Sequence, residues 1–183
     1  AYTFYDGAIV RCEVTTGVGC AASSIESVTP AQTFPSSLAV ANGTVYWTHD
    51  FRTVSRCSTS SLPCTPAVFV DVGDQSFPSH LTVFGDHLYW LKEAGSARSV
   101  QACPLTGCDP VNGPVTVLDA PPLLEGVPVV GIALGADTLH VMGYFGTLWS
   151  FTMAGTTSAN AAGTLLVETG NLGSGLARDG NEL

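Results

Sequence analysis

Residues 38–57, LAVANGTVYWTHDFRTVSRC, decide how the rest of this 183-residue chain is read. Leu38-Ala39-Val40 is a first strand, and Asn42-Gly43 is a two-residue hairpin signal, because both residues tolerate positive φ. Val45-Tyr46-Trp47-Thr48 is rich in β-formers and makes a second strand. A short polar break leads to a third, Thr53-Val54-Ser55-Arg56-Cys57. After a turn bounded by cysteines, residues 67–72 supply a fourth. Four short strands joined by turns make one blade of a propeller.

The pattern returns. Leu81-Thr82-Val83, Gly85-Asp86 and His87-Leu88-Tyr89-Trp90 open a second copy, continued by strands at 99–103 and 115–118. Ile132-Ala133-Leu134, Ala136-Asp137 and Thr138-Leu139-His140-Val141 open a third, continued at 147–151 and 165–167. Leu176-Ala177-Arg178 and Asp179-Gly180 open a fourth that runs to Leu183. The starts at 38, 81, 132 and 176 are 43, 51 and 44 residues apart. Joining the two ends gives LARDGNEL-AYTFYDGAIVRC, which lies on the reference stretch without a gap: Leu183 falls on Val45, Tyr2 on Trp47, Arg11 on Arg56 and Cys12 on Cys57. The expected fold is therefore all-β, a β-propeller of four four-stranded repeats forming a single domain over residues 1–183. Its blades are 38–80, 81–131, 132–175 and a split blade, 176–183 plus 1–37, completed by joining the N- and C-terminal strands. The alternative, an antiparallel sandwich, gives no reason for a hairpin-plus-cysteine pattern to recur in phase.

Val45-Tyr46-Trp47-Thr48 and Leu88-Tyr89-Trp90-Leu91 resemble the YWTD repeat of low-density-lipoprotein-receptor-type propellers. The leading Leu-Ala-Val/Asn-Gly element is similar to the NHL repeat. The chain most resembles secreted bacterial propeller proteins that carry YWT followed by a Cys-turn-Cys. That likeness implies a propeller fold and a bacterial origin, and it says little about ligand. Where the family has its repeat Asp this chain has His49 and Lys92, the third copy reads His140-Val141-Met142-Gly143, and the split copy reads Tyr2-Thr3-Phe4. Polar bonding that the family builds on that Asp therefore does not carry over.

Charged residues are 11% of the chain, the mean hydropathy is +0.31 and the net charge is −9. A sparse, acidic charge set suits sheets buried on both faces. The six cations, Arg11, Arg52, Arg56, Lys92, Arg98 and Arg178, are scattered, which makes nucleic acid and anionic membrane surfaces poor partners. The longest apolar run, 127–136, contains Pro128 and two glycines and is far short of the ~18 residues of a membrane helix. Residues 1–20 carry no signal-peptide pattern, which leaves a removed leader or a fragment as readings.

Six cysteines permit fifteen pairings. The repeat phase selects Cys12–Cys20, Cys57–Cys64 and Cys103–Cys108, each bracketing the turn between a third and a fourth strand. The competing reading is zinc, which prefers tighter spacings with His nearby. Disulfides imply an oxidising compartment: secreted, periplasmic or cell-surface. Residues 154–163, AGTTSANAAG, stand where the fourth such turn has no cysteine and read as a flexible hairpin loop. Residues 119–127, with Pro121-Pro122 and Leu123-Leu124, read as an inserted loop that packs over a neighbouring blade.

His49, His80, His87 and His140 invite an acid–base or metal reading, but their phases differ, and only His80, before a first strand, falls near the axis. Asp86, Asp137 and Asp179 recur at one hairpin phase, which favours turn chemistry over glycosidase carboxylates. No nucleophile-elbow, zincin, P-loop or EF-hand pattern occurs. No catalytic, cofactor-binding or metal residue is assigned, and no cofactor is expected. The recurring aromatics Tyr46, Trp47, Tyr89 and Trp90 read first as packing between blades; with His80 they are also the candidate binding face for a protein or carbohydrate ligand. The expectation is a non-catalytic extracellular propeller serving as a binding, adhesion or assembly module, with self-association through its terminal strands. The alternative is a secreted lyase or glycosidase with a site on the propeller axis.

Overall fold

The computed structural model describes residues 2–5, 7–15, 19–20, 22–73, 76–119, 121–155, 157–159 and 162–168. Within them four antiparallel sheets follow one another, each a meander in chain order. The first holds β1 (Tyr2–Tyr5), β2 (Ala8–Arg11) and β5 (Glu26–Thr29), with a small hairpin of β3 (Val14–Thr15) and β4 (Gly19–Cys20) between them. The second runs β6 (Leu38–Ala41), β7 (Thr44–His49), β8 (Thr53–Ser58) and β9 (Ala67–Asp71). The third runs β10 (Phe77–Phe84), β11 (His87–Ala94), β12 (Ala97–Pro104) and β13 (Val115–Leu118). The fourth runs β14 (Val129–Leu134), β15 (Thr138–Gly143), β16 (Thr147–Thr152) and β17 (Thr164–Glu168). Residues 176–183, the expected partner of β1, lie outside the described residues.

Register makes the repeat equivalences concrete. Val45 pairs with Cys57, Leu88 with Cys103 and Leu139 with Phe151, so Trp47, Trp90 and Val141 occupy one structural position. In the first sheet Tyr2 pairs with Arg11, as Tyr46 pairs with Arg56. Tyr2 therefore stands at the Tyr46 position and not at that of Trp47, which corrects the gap-free overlay by one residue. The reason is turn length: Tyr5 pairs with Ala8 across two residues, whereas His49 pairs with Thr53 across three. Two first strands also begin earlier than their sequence starts. β10 begins at Phe77 and β14 at Val129, each with a register shift near its start, between Ser79 and Thr82 and between Val129 and Gly131. Bulges hide such extensions from a period-2 pattern.

The sheets stack face to face, and alternation along one strand serves two joints at once. Trp47 points back to Ile9 and Val28 of the first sheet, while Tyr46 points forward to Phe69, Leu88 and Trp90. In the third sheet Trp90 points back into that cluster, and Tyr89 points forward to Leu139, Val141 and Trp149 of the fourth. Each fully buried large apolar side chain contributes roughly 1.5–3 kcal/mol, so these joints carry most of the stability. Along one edge β6, β10 and β14 lie side by side, which makes the first strands the inner strands of the stack.

From the second sheet on, the loop before the last strand clasps the preceding sheet. Cys64 N–H donates to the Val28 carbonyl at 2.9 Å, and Ala159 N–H donates to the Val117 carbonyl at 2.7 Å. In the third sheet the loop accepts instead: Tyr46 Oη and Arg56 Nη1 donate to the Leu105 carbonyl at 3.3 and 3.2 Å. Cys12–Cys20, Cys57–Cys64 and Cys103–Cys108 are disulfides, as the repeat phase predicts. The fourth sheet reaches the same end without cysteine. Phe151 takes the position of Cys57 and Cys103, fully buried, and its ring lies on Gly163, where a Cβ would stand 2.5 Å from ring carbon. The loop beyond it is held by a Met153–Ala159 bridge and by Ala154 N–H donating to the Ser158 carbonyl at 2.7 Å, so its described part is anchored, against the flexible hairpin expected. The inserted loop divides its leucines: Leu124, in a 3-10 turn (Pro122–Leu124), is buried against the fourth sheet, and Leu123 faces out.

Candidate functional site: an aromatic end

In a four-stranded meander the turn between strands two and three, and the crossing to the next sheet, fall at the same end. The hairpins between strands one and two and the disulfide loops fall at the other. The first of these ends carries the exposed rings. Phe34 lies in the crossing before β6, Phe51 in the β7–β8 turn and Phe77 at the start of β10; they are 64%, 52% and 45% exposed. The Phe34 and Phe51 rings stack at 4.8 Å, and Phe77 meets Phe51 edge-on at 5.6 Å. Tyr144 and Phe145, in the β15–β16 turn, form a second exposed pair at 5.6 Å.

The backbone under these rings is unusual. Phe34, Asp50 and Phe51 have φ of 48°, 53° and 58°. A bulky residue in the left-handed region costs free energy and marks a turn held by its surroundings. Here the holders are backbone bonds: Asp50 N–H donates to the Thr33 carbonyl at 3.0 Å, and Thr48 N–H to the Ser37 carbonyl at 3.0 Å. The crossing is thus laid along the end of β7, and the two phenylalanines are brought together. A polar rim adjoins them. His49 Nδ1 sits 2.8 Å from Asp50 Oδ2, and its Nε2 2.8 Å from Ser55 Oγ. Arg52 grips Asp71 through Nε (3.1 Å) and Nη2 (2.5 Å), and that guanidinium, with the Gly73 N–H, holds the Asp71 carboxyl below the usual carboxylate range.

The aromatics that the sequence offered as a binding face are elsewhere. Tyr46, Trp47, Tyr89 and Trp90 are 0–3% exposed and belong to the joints, which corrects that assignment. Strand positions alternate between two covered faces, so the adjacent aromatics of β7 and β11 are both taken up in joints. The exposed rings were legible by another signal: Asp50-Phe51 and Tyr144-Phe145 share one phase, in the turn after a second strand. His80 lies within β10 at φ 52°, where its Nε2–H donates to the Val129 carbonyl at 3.0 Å. A carbonyl only accepts, so Nε2 carries the proton; burial lowers the pKa and keeps the ring neutral. His80 ties the third sheet to the fourth. The other histidines bond locally, His87 to Asp86 and His140 to Thr138, and among the described residues no three His, Cys, Asp or Glu side chains form a metal-sized group. What the aromatic end offers chemically is flat apolar area beside hydrogen-bonding groups.

No family model and no curated protein matches the chain, so the resemblance to YWTD or NHL repeats is one of the residues quoted above alone. Solved structures do match. The N-terminal domain of Nup159 aligns at a TM-score of 0.51 and 9% identity, over 92% of this chain and 40% of that one. The computationally designed Ika8 protein aligns at 0.56 and 12%, over 99% of this chain and 52% of that one. The chain thus spans about half the length or less of these two structures. At such identities the likeness is one of fold, and the fold is a propeller-like, all-β stack of antiparallel sheets.

Proposed function

We propose that this chain is a non-catalytic binding module of an oxidising, extracellular compartment, and that its ligand face is the aromatic end. The observation that carries the reading is the Phe34–Phe51–Phe77 cluster: three large rings kept in solvent, two on left-handed backbone. Packing alone gives no reason to hold phenylalanine in that conformation at a solvated turn, whereas preorganising a binding surface does. Flat rings beside Asp50, Arg52 and Asp71 suit a ligand with alternating apolar and polar faces, a carbohydrate or an extended protein segment. Three disulfides with no free cysteine support the compartment.

The test is capture on glycan and peptide arrays by the folded protein and by a Phe34→Ser/Phe51→Ser variant. The expected result is a ligand class retained by the parent and lost at least about tenfold by the variant, with the melting temperature kept. Capture that survives the double substitution sinks this assignment of the face.

A further inference from the structure

We propose that the outer face of β17 is a docking surface for another repeat of this kind, supplied by a second copy of this chain. The last strand of every sheet carries a bulge, and the pattern of cover at that bulge breaks once. The bulge residue and its successor are Val28 and Thr29, Phe69 and Val70, and Val117 and Leu118 in the first three sheets, all 0–8% exposed. In β17 the same two positions, Leu166 and Val167, are 49% and 43% exposed, next to Leu165 at 48%.

Repetition identifies the occupant. In the three covered cases the cover is the following sheet and its clasping loop. Leu62 and Cys64 pack with Val28, Leu105 and Cys108 with Phe69 and Val70, and Ala159 with Val117 and Leu118. The other end of the stack shows the complementary half. The loop of the first sheet carries Val14 between its cysteines, as the later loops carry Leu62 and Leu105, yet Val14 is 61% exposed. The Leu166 carbonyl is likewise the counterpart of those of Val28 and Val117, which accept the N–H groups of Cys64 and Ala159. One end of the described stack thus presents the receiving half of a joint and the other the clasping half, which is a head-to-tail, heterologous pair of surfaces. Two copies together also match the length of the designed structural neighbour, of which one copy spans 52%. The inference stands on the fold and does not depend on what the aromatic end binds.

The experiment is sedimentation velocity on the 183-residue protein over about 1–100 μM, with Leu166→Asp and Val14→Asp made separately. The expected result is concentration-dependent association, weakened at least about tenfold by either charge. An equimolar mixture of the two variants should then associate again, because each retains the half that the other has lost. A protein monomeric throughout that range overturns the proposal. So does a mixture that fails to associate while both variants keep the parent's circular dichroism and melting. A monomer whose melting temperature drops with Leu166→Asp overturns it too, since the face is then covered within one chain.

Discussion

The two ends of the stack are built from the same repeats and do opposite things. At one end the loop before the last strand is closed by a disulfide in three sheets and by Phe151 on Gly163 in the fourth, and from the second sheet on it is bonded to the sheet before it. At the other end no disulfide occurs, the turns hold phenylalanine at positive φ, and rings stand in solvent. The difference separates two tasks. Joints between sheets and covalent closure hold the scaffold, which leaves the opposite turns room to carry strain and exposed apolar area.

Five variants can break or sharpen that contrast. Phe151→Ala should cost the most, about 3–5 kcal/mol in denaturant unfolding, because a fully buried ring is lost where no covalent bond replaces it. Gly163→Ala should also destabilise, since the new methyl meets the ring. If neither change moves the midpoint, the fourth sheet is not closed by packing. Next, Cys57→Ala/Cys64→Ala should lose ~2–3 kcal/mol, the scale for a short loop. It should also speed hydrogen exchange of the amide that donates to Val28, and unchanged protection there would show that the clasp holds without the bond.

Phe51→Gly tests the other end. Glycine relieves the left-handed backbone while the stacking with Phe34 is lost, so stability should stay within about 1 kcal/mol. A loss as large as that of Phe151→Ala would make the ring part of the core and erase the contrast. The smallest effect is that of His80. Its folded-state pKa lies below 6.5, so as pH falls through 6.5 the unfolded chain takes up the proton first. The stability of the neutral ring is present in full above that value and is lost as pH falls toward the folded-state pKa. His80→Asn, which also tolerates positive φ, should flatten this slope in urea melts between about pH 5 and 7.5. Asp71 titrates lower, its contribution being lost only as pH falls below 3.8, so the two windows separate. A slope unchanged by His80→Asn would place the titration elsewhere.

Much of this was legible in residues 38–57 and their copies. Asn42-Gly43 forms the two-residue turn its sequence predicts, both residues at positive φ. Trp47 and Trp90 are equivalent and buried, and the cysteine pairs close as their phase requires. The start of β10 was not legible, because the bulge between Ser79 and Thr82 breaks the alternation that locates a strand. Nor was the stacking of Phe34 on Phe51: the turn phase marks Phe51, but Phe34 is 17 positions away and lies outside any strand period.

The sequence by itself determined the repeat, the antiparallel order within each sheet, the turn chemistry and the disulfide pairing. All of these are local: they depend on residues a few positions apart and on the period-2 geometry of a strand. Only the tertiary structure decided which aromatics are core and which are surface. Burial depends on whether another sheet covers a face, and the chain cannot state that locally. Tyr46 and Phe51 are five residues apart, and one lies in a joint while the other lies in water. The same reasoning holds for Val117 and Leu166, which share a bulge position: among the described residues the next sheet covers the first and no sheet covers the second.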